Sequence, residues 1–235
     1  MACKNVAITH QVVFTFTAQL GTILRVDPFE MYLKHSRESA RADQGMSYQP
    51  KKAAQLIAAL ILKSAGNSIN ILKAIKLVYL ADRESIRRYG FPILDEDRYS
   101  MPNGPVNSTT YRHVNGEVDL QACGWSDYLE DRANHKIALA KPGLSIDDLE
   151  ELSDADVECI DRVWSDFGHM DQWQLVDWTH NPDNVPEWED PNGGSIKIPY
   201  RRILNAVGVE NADEVEAIIK AQREIDAAFD QARVH

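Results

Sequence analysis

The sequence predicts a mainly α fold, a compact helical single domain with a minor β hairpin. Apolar residues recur at helical spacing in several long segments, and typical capping residues and glycines stand at the ends of those segments. Only short stretches have a composition that favours β-strands. Hydrophobic residues make up 44% of the chain and charged residues 26%, proportions that are typical of a globular protein and argue against disorder.

Two helices are expected to open the body of the chain. Residues 51–64 carry apolar residues on one side. Residues 71–89 show the same periodicity between Asn70, which can cap a helix, and Gly90, which can end one. A third helix is expected to begin at Pro105, because proline is favourable at the first helical position.

The second half of the chain is expected to add a small hairpin and four helices. Ser153 and Asp156 have the spacing of a capping box, which predicts a long core helix that ends at Gly168. Asp171 is expected to cap the next helix, while the prolines and glycines of residues 183–194 predict a loop. The hairpin is expected at residues 125–129 and 136–140, and the last three helices at 172–179, 200–207 and 212–233.

The first 45 residues differ from the rest of the chain. They contain a β-prone stretch and a polar run, without helix periodicity. The regular pattern begins at Met46, so we expect residues 1–45 to be a poorly ordered extension or the product of an upstream start codon. The expected organisation is therefore an extension at 1–45, a domain at 46–207 and an amphipathic C-terminal helix at 208–235.

The net charge of −11 is unevenly distributed. Residues 51–88 contain eight basic and two acidic residues, whereas residues 147–166 contain nine acidic residues and one basic residue. One interpretation is that these segments form helix faces that attract each other within the fold. The other is that the acidic segment binds a basic partner. The overall acidity argues against a primary role in binding nucleic acid.

The three cysteines are odd in number, far apart and without a CxxC pair, so we expect neither a disulfide framework nor a zinc ribbon. A reducing cytoplasm fits this pattern. The N-terminal stretch is too polar for a signal peptide or a membrane span. The expected protein is therefore cytoplasmic and makes no contact with a membrane.

The sequence lacks the common catalytic signatures. Asp177 and His180 share a helical face and are candidates for a metal site or a small hydrolase, although a metal would need a further ligand. A structural role is the preferred interpretation, since a histidine at a helix end can satisfy the last carbonyls. Cys123 and Cys159 are the alternative nucleophiles, and acidic neighbours should raise the pKa of Cys159. No metal or cofactor is expected.

Four aromatic residues at helical positions are expected to lie in the core rather than on a binding surface. They are Tyr79, Trp164, Trp173 and Trp178.

Three segments, taken in order, resemble a known family. The first is Leu-Lys-Ala-Ile-Lys-Leu-Val-Tyr-Leu-Ala at 72–81, the second is Asn-Gly-Pro-Val at 103–106 followed by Tyr111, and the third is Trp-Gln-Leu-Val-Asp-Trp-Thr-His at 173–180. In this order and at this spacing they resemble the SocA-like antitoxin domain, also called the Panacea domain, over residues 46–207. The resemblance makes four residues markers of the family fold: Tyr79, Trp173, Thr179 and His180.

The resemblance implies an antitoxin of a bacterial or phage toxin–antitoxin system, not an enzyme. Such a protein binds and neutralises a cognate protein toxin encoded next to it. Direct complex formation is the favoured mechanism, and delivery of the toxin to a cellular AAA+ protease is the alternative. Two alternative functions remain. One is a small hydrolase that uses Asp177 and His180, and the other is a DNA-binding protein that represses its own operon. The expected toxin contacts are the terminal helix and Arg83, Arg87, Arg88, Asn103, Gly104, Pro105 and Tyr111.

Overall fold

The computed structural model describes residues 48–64, 66–117 and 123–233. The predicted extension at 1–45 and the start at Met46 lie outside these residues. Within them the chain is mainly α with small antiparallel sheets, which confirms the predicted class. The α-helices are α1 (Pro50–Lys63), α2 (Ile71–Tyr89), α3 (Ser108–Val114), α4 (Asp154–Phe167), α5 (Gln172–His180), α6 (Tyr200–Ala206) and α7 (Ala212–Arg233).

The strands form two small antiparallel sheets. They are β1 (Ser68–Asn70), β2 (Arg98–Met101), β3 (Gly104–Asn107), β4 (Lys136–Ala138) and β5 (Ile196–Ile198). One sheet pairs β1 with β4, and the other has the order β3-β2-β5. In the second sheet, Tyr99 of β2 lies opposite Val106 of β3 and Lys197 of β5.

Helix α2 lies at the centre of the fold. It packs against α1, α4, α5 and α6, and also contacts β1 and β3. Its ends are fixed as the sequence predicts, because the Asn70 side chain accepts a hydrogen bond from the Lys73 amide and Gly90 takes the left-handed conformation. The capping boxes at Ser153 and Asp171 are also present. Most of α1 is buried, and it packs against both α2 and α4, so the core of the domain is mainly helical.

The predicted helix at Pro105 is wrong. Residues Gly104–Asn107 are a strand, and the helix begins only at Ser108. Met101 lies directly opposite Gly104, so a two-residue turn joins β2 to β3 and brings Pro105 into the sheet opposite Ser100. Pairing with a neighbouring strand therefore overrides the local preference of proline for a helix start.

The predicted hairpin at 125–129 and 136–140 is present only in part. Trp125–Asp127 is a 3₁₀-helix, and a single bridge joins Leu129 to Leu139. The second segment pairs mainly with β1, which precedes it by about 70 residues. Periodicity alone gives no information about so distant a partner.

The basic and acidic segments attract each other within the fold, as one of the two interpretations predicts. Lys52 of α1 pairs with Asp156 of α4 at 3.0 Å, and both side chains are buried. Arg88 of α2 pairs with Glu158 at 2.6 Å. Further pairs join Lys51 to Glu150 and Glu151, and Lys63 to Asp161.

Candidate functional site

Four polar side chains lie along one side of α2 and reach into the core. Positions 76, 79 and 82 are three residues apart, and position 83 lies four residues after 79, so the four side chains share one side of the helix. Three of them have less than 2% of their surface exposed, and the fourth is largely covered. Buried polar groups of this kind need partners. The four residues are Lys76, Tyr79, Asp82 and Arg83.

Lys76 holds the start of β3. Its ammonium donates a hydrogen bond to the carbonyl of Pro105 at 2.7 Å. Burial lowers the pKa of Lys76 to about 7, because the interior disfavours the charged form.

Gly104 lies against the same ammonium. Its φ of +94° is a conformation that other residues rarely adopt. A Cβ at this position would come within 2.8 Å of Lys76 Nζ and 2.7 Å of Thr179 Oγ1. The space therefore admits only a glycine without displacement of a neighbour. Three segments far apart in sequence, around Lys76, Gly104 and Thr179, meet at this point.

Tyr79 and Arg83 hold a buried carboxylate from the loop after α5. The Tyr79 hydroxyl donates to Glu187 Oε1 at 2.8 Å, and Arg83 Nε donates to the same oxygen at 2.6 Å. Arg83 also donates to the carbonyl of Asn184 at 3.0 Å. Burial, followed by the charge of Glu187, raises the pKa of Tyr79 well above its usual value. The sequence gives no sign that Glu187 is buried.

Asp82 anchors the first strand of the hairpin. It pairs with the buried guanidinium of Arg98 and accepts hydrogen bonds from Asn107 Nδ2 at 2.8 Å and from the amide of Leu94 at 2.9 Å. Both strands of the β2–β3 hairpin are therefore bound to α2 through one carboxylate.

Glu96 fixes the end of the hairpin at α3. Its side chain accepts hydrogen bonds from the amides of Thr109 and Thr110 at 2.6 and 2.9 Å, and from the Thr110 hydroxyl at 2.6 Å. Burial raises the pKa of Glu96 to about 7, although these hydrogen bonds act in the opposite direction.

The turn between the two strands is the exposed part of this arrangement. Pro102 and Asn103 are exposed, whereas the strand residues Gly104 and Pro105 are buried. On the other side of the turn, Trp188 Nε1 donates to the carbonyl of Met101 at 3.2 Å. A rigid set of buried residues thus presents a two-residue turn at the surface.

The three arginines that the sequence groups together have different environments. Arg83 is engaged with the buried Glu187. Arg87 is half-exposed and makes two hydrogen bonds of 2.7 Å with Glu84. Arg88 pairs with Glu84 and Glu158.

Two of the aromatic predictions have clear outcomes. Tyr79 is fully buried, as predicted. The prediction that Trp173 lies in the core is wrong, because 58% of its surface is exposed in the first turn of α5. Trp164 and Trp178 are partly buried against the core, and so is Tyr111.

His180 does not form a catalytic pair with Asp177. Its ring lies 4.3 Å from the ring of Trp188, between centroids, and Asp177 is exposed without a hydrogen bond to it. Burial, followed by the charge of Lys76, lowers the pKa of His180. Among the described residues no group of three or more His, Cys, Asp or Glu side chains is placed to hold a metal ion.

Neither of the two cysteines in the described part of the chain, Cys123 and Cys159, forms a disulfide. Burial raises the pKa of the Cys159 thiol to about 12, and Glu84 contributes in the same direction. A thiol in this environment is a poor nucleophile at neutral pH. No helix of the described residues has the length and apolar character needed to cross a membrane.

The fold and this arrangement define a mainly helical domain whose buried polar residues hold a short hairpin against a central helix. Residues 75–189 match the family described as antitoxin SocA-like, Panacea domain, which confirms the resemblance that the three segments indicate. The match includes the central helix from Ile75, the hairpin and α5, but not α7. No curated protein and no solved structure matches the chain.

Proposed function

We propose that this protein is a cytoplasmic antitoxin that binds and neutralises a cognate protein toxin by direct complex formation. The match of residues 75–189 to the SocA-like antitoxin family carries the proposal. The rigid presentation of the hairpin turn supports it, since a surface that is already ordered loses little conformational freedom on binding.

We place part of the toxin contact at this turn and on the neighbouring surface. Of the seven candidate residues, Arg87, Arg88 and Asn103 are exposed, and Tyr111 is partly exposed. Gly104 and Pro105 shape the turn from below, and Arg83 supports it through Glu187. The side chains proposed to touch the toxin are therefore those of Arg87, Arg88, Asn103 and Tyr111.

Co-expression with the neighbouring reading frame tests the proposal. The neighbour is expressed in a bacterial host alone, with this chain, and with an Asn103→Trp variant that should obstruct the turn without disturbing the core. The matched control is Ser195→Trp, since Ser195 is also exposed outside the helices and strands and, like Asn103, has no left-handed φ. We expect the neighbour alone to stop growth, and the chain and the control to restore it. Rescue that fails with the full chain would contradict the antitoxin proposal.

The same experiment distinguishes neutralisation from delivery to a protease. Direct neutralisation predicts that the toxin accumulates to its full level in rescued cells and co-purifies with this chain in a stable complex. A fall in the toxin level that depends on a cellular protease would favour the adaptor mechanism instead.

A further inference from the structure

Helix α7 carries a row of exposed apolar side chains. Three of the six large hydrophobic side chains that are exposed in the described residues belong to it: Ile218 at 39%, Ile225 at 49% and Phe229 at 63%. Exposed Ala221 lies between the first two. The intervals of three, four and four residues align the four side chains along one side of the helix. We call Ile218, Ala221, Ile225 and Phe229 the α7 apolar face.

The fold of the domain uses a different side of α7. Val215 and Ile219 pack against Phe91 beyond the end of α2. Arg223 Nε donates to Asp95 Oδ1 at 2.8 Å. These contacts hold the helix in place while the α7 apolar face points away from the packed side. Exposed apolar side chains aligned in this way are typical of a surface that binds a partner.

The charge of α7 indicates what kind of partner fits. Residues 212–233 contain six acidic residues and three basic residues, a difference of −3, within a chain of net charge −11. A second copy of this helix would bring like charges together, whereas a basic segment would be attracted. Exposed Glu214 lies one helical turn before Ile218 on the same side of α7 and is available to such a segment.

We propose that the α7 apolar face binds an amphipathic helix of the toxin, whose apolar side packs on Ile218, Ala221, Ile225 and Phe229 and whose flanking residues are Lys or Arg. This inference rests on the proposed antitoxin function. Because α7 lies outside the matched residues 75–189, it gives the chain a contact surface additional to the family domain. Packing an apolar helix side on a complementary surface is a common mode of peptide recognition.

The test compares two variants with the same change in charge. The Ile225→Glu/Phe229→Glu double variant lowers the net charge by two and removes the apolar contact. The control Lys220→Glu also lowers the net charge by two, at an exposed position on another side of the helix. Because the altered side chains are exposed, circular dichroism and urea unfolding should match the wild type. A milder variant, Phe229→Gln, repeats the test if the double variant is less stable.

Binding is measured by titration calorimetry with the purified product of the neighbouring reading frame, at about 50 and 300 mM NaCl. We expect wild-type binding to weaken with salt, the double variant to bind at least about tenfold more weakly, and Lys220→Glu to bind at least as tightly as the wild type.

The remaining outcomes separate this inference from the proposed function. Wild-type affinity in the double variant and in Phe229→Gln would overturn the α7 inference and leave the antitoxin proposal standing. Binding that is independent of salt would overturn the basic character of the partner helix. No binding and no rescue by the wild type would overturn both proposals. A dimer of the chain alone that the double variant converts to a monomer, seen by light scattering, would show that a second copy occupies the face.

Discussion

The ammonium of Lys76 and the carbonyl of Pro105 form a hydrogen bond that joins the central helix to a hairpin 29 residues further along the chain. The donor carries a charge that its buried surroundings disfavour, so the contact brings a cost as well as a gain.

Stability should increase with pH above neutrality because of Lys76. Its pKa is about 7 in the folded protein and 10.5 when exposed, so the unfolded chain binds more protons between these values. We expect the free energy of unfolding to rise by about 1.5 kcal/mol from pH 7 to 8.5 from this residue. Glu96, whose pKa is raised to about 7, keeps its proton longer in the folded chain and offsets about 0.4 kcal/mol of this rise. The pKa of His180 is lowered, so its protonation change falls below this window.

Urea unfolding between pH 6.5 and 8.5 measures the effect. The Lys76→Met variant should lack the increase, whereas a Lys220→Met control, which removes an exposed lysine, should retain it. The same pH dependence in Lys76→Met and the wild type would show that another group is responsible.

Gly104→Ala should destabilise the protein more than an alanine at a glycine in open space. Gly193 has a similar φ, +84° against +94°, but a Cβ there would meet no atom within 4 Å. Gly193→Ala should therefore cost about 1–2 kcal/mol, the conformational cost alone. Gly104→Ala should add at least about 1 kcal/mol, because Lys76 and Thr179 must move. Equal unfolding free energies for the two variants would refute the close contact.

Removal of the Arg83 side chain should destabilise the fold. Arg83→Ala leaves the carboxylate of Glu187 buried without its charged partner, and we expect a loss of about 3 kcal/mol. Arg87→Ala is the matched control one turn further along α2. It breaks an exposed pair with Glu84 and should cost less than about 1 kcal/mol.

This difference also affects binding experiments. A combined charge reversal of Arg83, Arg87 and Arg88 would confuse loss of fold with loss of toxin contact. Substitution of Arg87 and Arg88 alone tests the contact. An Arg83→Ala protein as stable as the wild type would contradict the structural role of its ion pair.

Lys51 and Lys52 are neighbours that should respond differently to substitution. Lys52 pairs with Asp156 where both side chains are buried, so Lys52→Met should cost about 3 kcal/mol. Lys51 lies one-third exposed beside Glu150, and Lys51→Met should cost less than about 1 kcal/mol. Thermal unfolding of the two variants measures the difference, and a larger effect at Lys51 would refute the assignment.

Local signals predict much of this fold from the sequence. The ends of α2 and α4 depend on Asn70, Gly90 and Ser153, whose effects extend over only three or four residues. The strand at Gly104 was not predicted, because it depends on pairing with β2 and β5.

The partners of the buried charges could not be predicted either. Glu187 lies 104 residues after Arg83, and nothing in the intervening sequence indicates that the two side chains meet. Trp173 is the opposite case. Its apolar side chain predicts burial, but the residue lies on the exposed side of α5. The three family segments are far apart in sequence but meet at Lys76, Gly104 and Thr179 in the fold.

The residues beneath the hairpin turn and the residues on its surface are under different structural constraints. The side chains that position the turn are buried or partly buried, whereas the Pro102 and Asn103 side chains are exposed. Drift at these two positions would change the proposed toxin contact at little cost in stability. A chain built in this way can change partners during evolution without first being redesigned, and a library randomised at 102 and 103 would reveal how many partners one scaffold accepts.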